Sequence, residues 1–326
     1  MNNFKKIGMT ALAASLVSTS VFAGEVTVAG SASMTVEGYS SAGSINAGKG
    51  FSMGNQLTFT GGGELDNGMT VGISFILDQG DNEVSAEASS AGTAPFDSHS
   101  ISISSDAMGT LVMHGEGGSS AQSALDTTAA GDIWDLFDGT TTGTTVSSSA
   151  AGGDILVYTL PSMVDGLSVS ASYDPQQATA ASSTAFGVTY TGVEGLSVSY
   201  GQGDASTGVS TTEADATTMK ASYAYGSFTV AYSNNDYQSA VASSDQETTS
   251  YKLSYTVSDA ISISYGEDTI DLEGSTADAE YDKLSASYTS GGMTVTATQA
   301  SATDALHGTS TAEDQDYWSL GLSFAF

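Results

Sequence analysis

The chain contains no cysteine and no arginine, and only six lysines in 326 residues. The missing cysteines remove disulfides and thiolate metal sites as sources of stability. The missing arginines leave 37 carboxylates opposed by those lysines, for a formal net charge of −31. Such a surface repels a phosphate backbone, which excludes nucleic acid as a partner. No run approaches the roughly 18 apolar residues that a spanning helix needs. Catalytic constellations are missing as well. His99, His114 and His307 lie far apart with no carboxylate or nucleophile at motif spacing, and no glycine-rich phosphate loop opens a helix. The chain is therefore not expected to be an enzyme. Acidity with abundant Ser, Thr, Gly and Ala is also the composition of disorder, and it is the residue pattern that argues against disorder.

At the N-terminus, Lys5 and Lys6 precede an apolar stretch from Ile7 to Val17, and Val21-Phe22-Ala23 supplies a cleavage context before Gly24. Residues 1–23 read as a signal peptide that is removed, and residues 24–326 as a single domain. Removing Lys5 and Lys6 takes the mature charge to about −33.

The remainder alternates. At the C-terminus Trp318, Leu320, Leu322, Phe324 and Phe326 share one parity, while Ser319, Gly321, Ser323 and Ala325 share the other. The same alternation recurs about sixteen times. Many segments pair through tight turns: Leu57 and Phe59 lead through Asp66-Asn67-Gly68 into Val71, Ile73 and Phe75, and Tyr251, Leu253 and Tyr255 lead through Ser258-Asp259 into Ile261 and Ile263. Seven short turns alternate with eight longer polar connections, near 38–50, 80–97, 116–152, 175–182, 203–214, 234–246, 268–279 and 301–313. This predicts an all-β fold, a 16-stranded antiparallel transmembrane β-barrel with short turns at one end and long loops at the other. Closure follows because an open sheet edge would leave unpaired amides in hydrocarbon. Tyr173, Tyr200, Tyr232 and Tyr265 fall toward the long loops and Tyr190, Tyr225, Tyr255 and Tyr288 toward the short turns, as two interfacial girdles require. Glu37, His114, Lys220, Lys252 and Lys283 carry the opposite parity, so the lumen is the polar side.

Two groups of residues are candidates for function. The longest connection, 116–152, contains Asp132, Asp135 and Asp138 at a spacing of three, with Ile133, Trp134, Leu136 and Phe137 between them. A short helical turn would set the carboxylates on one side, toward water, and leave Trp134 and Phe137 as anchors against the wall. An exposed loop clamping a neighbouring subunit is the alternative. A calcium site is a third reading, though the spacing lacks the alternating oxygen ligands of a calcium loop; no cofactor is assigned, and loop-bound Ca2+ or Mg2+ is left open without being predicted. Lys220, Lys252 and Lys283 each stand about five residues before a short turn, which puts them about 12 Å above that end. They read either as three unrelated solubilising lysines or as a basic arc facing the acidic loop across the pore.

The leader Met1-Asn2-Asn3-Phe4-Lys5-Lys6-Ile7-Gly8, Phe51-Ser52-Met53-Gly54-Asn55, the run from Gly63-Glu64-Leu65-Asp66-Asn67-Gly68 to Val71, Leu160-Pro161 with Asp165-Gly166-Leu167, and terminal Phe326 resemble the general porins of alphaproteobacteria, the Rhodobacter-type porins and their marine relatives. The resemblance implies a homotrimer in outer-membrane lipid, a third loop folded inward as a constriction, and passive diffusion of small hydrophilic solutes. It also implies that the last strand, with Trp318, Phe324 and Phe326, is read by the barrel assembly machinery. Porins of this family set arginines against the acidic third loop; this chain has only the lysines. The expectation is a weakly cation-preferring general channel in the outer membrane of a Gram-negative cell. A substrate-specific channel and a secreted acidic structural protein are the alternatives; the first would need an aromatic slide or a basic track, the second solubility without detergent.

Overall fold

The computed structural model describes residues 26–40, 48–78, 96–137, 147–175, 181–206, 213–308 and 314–326. In chain order its strands are β1 (Thr27–Tyr39), β2 (Gly48–Glu64), β3 (Thr70–Asp78), β4 (Ser98–Ser105), β5 (Gly109–Glu116), β6 (Gly118–Ser119), β7 (Ala151–Gly152), β8 (Ile155–Thr159), β9 (Leu167–Asp174), β10 (Ser183–Tyr190), β11 (Leu196–Ser206), β12 (Glu213–Tyr225), β13 (Phe228–Gln238), β14 (Gln246–Ser258), β15 (Ile261–Leu272), β16 (Ala279–Ser290), β17 (Met293–Thr303) and β18 (Gln315–Ala325). All but β6 and β7 form one closed antiparallel barrel of sixteen strands, each paired with its neighbours in chain order. β6 and β7 pair only with each other, where the longest loop leaves and rejoins the wall.

Closure is made by the C-terminal strand. β18 pairs with β1 from Ser31 opposite Ala325 to Gly38 opposite Trp318. Beyond that register the Phe326 amide donates to the Gly30 carbonyl at 3.0 Å, and the Gly30 amide donates back to Phe326 at 2.7 Å. With no edge strand left, each barrel strand has a partner on both sides, as hydrocarbon demands. The turns are those the sequence indicates. At Asn67-Gly68, Gly68 takes φ +78° and the Asn67 side chain accepts from the Met69 amide at 3.1 Å.

The two faces separate cleanly. Outward, Val28 lies opposite Phe59 and Phe59 opposite Phe75, while Met34, Ile101, Leu253, Leu284 and Leu320 stand exposed. Exposed apolar side chains continuous around a barrel mark a lipid-contacting surface. Inward, hydroxyls meet across strands: Ser262 with Ser287 at 2.8 Å and Thr189 with Ser199 at 2.9 Å. This polar lining is what a water-filled bore requires. Near the loop end, tyrosine rings pair across strands, as between Tyr232 and Tyr251 with centroids 5.1 Å apart.

Several strands run further than the tyrosines imply. β11, β13 and β15 continue past Tyr200, Tyr232 and Tyr265 to Ser206, Gln238 and Leu272, so the connections expected from 203, 234 and 268 begin later. The reason lies in what the two faces meet above the girdle. Outward carboxylates such as Glu247 and Glu267 are exposed to water there, while inward Thr248 and Ile270 are buried.

Candidate pore constriction

The chain leaves β5 at Glu116 and turns into the bore. Residues Ser120 to Ser123 and Thr128 to Ala130 are buried against the inner wall, and two short 3-10 turns, Ser123–Leu125 and Ile133–Leu136, punctuate the path. Glycine lets the loop lie this close. A Cβ on Gly187 would stand 2.4 Å from the Ala121 carbonyl oxygen, and one on Gly266 would stand 2.7 Å from the Ala130 Cβ.

A row of wall side chains holds the loop backbone. Ser172 on β9 accepts from the Ala121 amide at 2.9 Å, and the Gln122 side chain donates to Thr218 on β12 at 2.8 Å. Further along, the Ala129 amide donates to Ser233 on β13 at 2.8 Å, the Ala130 amide to Ser250 on β14 at 2.9 Å, and the Ile133 amide to Asp268 on β15 at 2.7 Å. A non-sheet segment inside a membrane barrel must satisfy its polar backbone somehow, and the wall supplies the partners one strand at a time.

Apolar contacts complete the docking. Ile133 and Phe137 are 0% and 1% exposed, in a cluster with Ile270, Ala279, Tyr281, Ala300, Ala302 and Tyr317 from β15 to β18. Phe137 packs against Tyr281 at 5.7 Å and Tyr317 at 6.3 Å between ring centroids. Trp134 is only partly buried at the margin of this cluster, so Ile133 sits deeper than Trp134. From β1, the Tyr39 hydroxyl donates to the Leu136 carbonyl at 2.9 Å.

The carboxylates divide. Asp132 accepts from the Thr128 amide at 2.8 Å and adopts φ +45°, so it closes a tight turn. Asp135 is exposed, and Asp138 lies outside the described residues. Desolvation, opposed by a Ser148 hydrogen bond and by Lys220, and reinforced by Asp132, pushes the half-buried Asp126 carboxyl up to about 6. Desolvation and the neighbouring Asp132 also raise Asp135.

The lysines require a correction of geometry. Of the two sequence readings, the basic arc sets Lys220, Lys252 and Lys283 across the pore from the loop; the structure sets them on the wall that the loop covers. Lys220 donates to the Thr127 carbonyl at 2.6 Å and Lys283 to the Gly131 carbonyl at 3.1 Å. Lys252 and Lys283 flank Gly266 on adjacent strands, with Ala130 seated over that glycine. The cause is the loop's reach: Ile133 and Phe137 find their pocket between β15 and β18, which carries the preceding segment over β12 to β16. On the uncovered arc, inward Ser31, Ser33, Ser52, Thr58, Ser74 and Ser102 are neutral, and Glu37 on β1, which accepts from the Tyr317 hydroxyl at 3.0 Å, adds a carboxylate.

Trp318, Phe324 and Phe326 lie on the outward face at 41%, 37% and 73% exposure, which places them toward lipid rather than the bore. Sequence reasoning missed Asp126, Asp268, Ser233 and Ser250. It also left unread two signals: inward-parity glycines at 187, 201, 203 and 266 on Ser- and Thr-lined strands, and four tyrosines, Tyr39, Tyr237, Tyr281 and Tyr317, whose parity is opposite to that of the girdle.

A closed sixteen-stranded barrel, apolar outside and hydroxyl-lined within, with one loop bound along its inner wall, is a transmembrane pore of the bacterial outer membrane. The chain belongs to the Gram-negative porin family, whose profile matches residues 8–281. The family is one of passive channels, not of enzymes. Among solved structures, the anion-selective porin from Comamonas acidovorans matches with a TM-score of 0.68 at 17% identity, covering 93% of this chain and 99% of that one. A mutant of Rh. blastica porin matches with a TM-score of 0.66 at 16% identity, covering 93% of this chain and 100% of that one. At these identities the likeness is one of fold. Comparison with curated protein sequences gives no significant match.

Proposed function

We propose that this porin is a general diffusion channel with a weak preference for cations, constricted by the loop 116–152. The observation that carries the preference is the distribution of charge at the narrowing. Asp126, Asp132 and Asp135 on the loop, Asp268 beneath it and Glu37 on β1 outnumber the wall ammonium groups of Lys220, Lys252 and Lys283, and much of the facing arc offers hydroxyls. A ring with uncompensated negative charge raises the local cation concentration. The Comamonas porin is anion-selective by its description, so the preference belongs to this chain's residues and not to the shared fold. Diffusion through such a bore needs no cofactor.

A homotrimer is part of the same reading. All outward-facing tyrosines among the described residues lie on β8 to β16, from Tyr158 to Tyr288, whereas β1 to β5 present Met34, Phe51, Met53, Ile101, Ile103 and Met113 with no tyrosine among them. An apolar arc lacking interfacial anchors suits contact with other copies of the chain better than contact with headgroups. Removal of residues 1–23 and recognition of the strand ending in Phe326 by the assembly machinery complete the proposal.

Purified protein tests it in liposomes. Swelling rates should fall smoothly with solute size across unrelated small sugars and amino acids. Saturable uptake of one solute alone would favour a substrate-specific channel, and a protein soluble without detergent would remove the pore altogether.

A further inference from the structure

Five consecutive strands each send one side chain to the loop segment Thr127 to Ile133, and they do so in an ordered way. Two of its carbonyls are held by cations: Lys220 of β12 at Thr127, where the segment begins, and Lys283 of β16 at Gly131. Between and beside them, Ser233 of β13, Ser250 of β14 and Asp268 of β15 accept the amides of Ala129, Ala130 and Ile133. Donors meet carbonyls and acceptors meet amides, so both polarities of the tightly turned backbone find partners. Lys252 stands outside this row. Its own strand already serves the loop through Ser250, and Lys252 is the next inward residue toward the short-turn end. No described residue pairs with its ammonium group.

From this arrangement we infer that the three wall lysines have two different roles: Lys220 and Lys283 are positioning residues that fix the constriction loop by its carbonyls, and Lys252, which makes no such bond, contributes only its charge to the bore. The inference rests on the reading of the loop as the pore's constriction. Its physical basis is the difference between a committed and an uncommitted ammonium. One that donates to a carbonyl under a loop has exchanged part of its hydration for that bond, and replacing it with an apolar side chain leaves the carbonyl without a partner. A solvated ammonium in the bore has no such partner to abandon, and its removal changes only the field. The sequence shows three equivalent lysines at matching distances from their turns; the hydrogen bonds separate them.

Single-channel recording of full-length trimers in planar bilayers tests this with Lys220→Met, Lys283→Met and Lys252→Met, each first checked for heat-modifiable trimers. Lys220→Met and Lys283→Met should raise open-channel current noise at least several-fold, and Lys220→Arg and Lys283→Arg, which keep a donor at the same place, should return quiet traces. Lys252→Met should move the reversal potential in a potassium chloride gradient toward the potassium limit with noise unchanged. Quiet traces from all three methionine variants, with equal shifts of reversal potential, would overturn the division of roles. If Lys220→Met or Lys283→Met yields no trimers, the arginine variants and a nitroxide label on the exposed loop residue Ala124 decide: Lys283→Ala, which keeps no donor, must loosen the label's motion, and an unchanged spectrum counts against the inference. If the unmodified trimer forms no pore, the proposed function fails instead, which is a separate result.

Discussion

Ala130 rests directly on Gly266: a Cβ built on that glycine falls 2.7 Å from the Ala130 Cβ and 3.3 Å from its Cα. The contact joins the constriction loop to β15 at the level where Lys252 and Lys283 flank the glycine. Replacing Gly266 by valine fills the socket and pushes the loop toward the bore. Single-channel conductance should drop by roughly a third, since current through a narrow segment falls with its cross-section. Trimer yield should be unaffected, because the inward face at Gly266 takes no part in lipid contact.

Phe137 supplies the apolar end of the docking. Its truncation to alanine should weaken loop attachment by about 3 to 5 kcal/mol, the usual cost of removing a buried phenylalanine. The barrel's hydrogen bonds do not depend on it. The expected result is a trimer with an ordinary melting temperature and a noisy, larger conductance, read by calorimetry and bilayer recording on the same preparation.

Asp126 makes selectivity depend on pH. Burial lifts its carboxyl to about 6, so the group is charged at pH 7.5 and neutral at pH 5. Lowering pH through 6 removes one negative charge per pore, and cation preference should fall over that interval. Asp126→Asn should show the weaker preference at both pH values and lose the step. Reversal potentials measured from pH 5 to pH 8 in both proteins check this; an identical step in the variant would assign it to another group.

The last residue closes the barrel through its backbone. Phe326 exchanges two hydrogen bonds with Gly30 and sets its ring on the outward face. Deleting it removes both bonds and the terminal aromatic that the assembly machinery is proposed to read. Outer-membrane trimers, counted by heat-modifiable mobility in isolated envelopes, should decrease strongly. Phe326→Tyr keeps ring and backbone and should leave the count near that of the unmodified chain.

What the sequence discloses and what it conceals divide along a physical line. Lipid acts on every outward side chain independently, so Trp318, Leu320 and Phe324 declare their face residue by residue, and the strand number follows from repetition. Parity also separates the lumen, which is why Lys220, Lys252 and Lys283 are recognisable as inward. It carries no information about which arc of the wall the loop covers. That depends on where Ile133 and Phe137 find a pocket, a contact across more than 130 residues of chain with Tyr281, Tyr317 and Ile270. The glycine at 266 and the inward tyrosines carry that information in the sequence, but only once the loop's path is known. The strand extensions past Tyr200, Tyr232 and Tyr265 are concealed for the same reason, since loop packing stabilises them and lipid does not.

Charge at the narrowing is the centre of the account, and the reversal potential of the unmodified trimer tests it most directly. With a tenfold potassium chloride gradient at pH 7.5 and low total salt, where the Debye length still spans the bore, zero current should occur at a potential on the potassium side. The displacement should shrink as salt approaches 1 M and screening contracts to about 3 Å. A reversal potential on the chloride side at low salt would contradict the account.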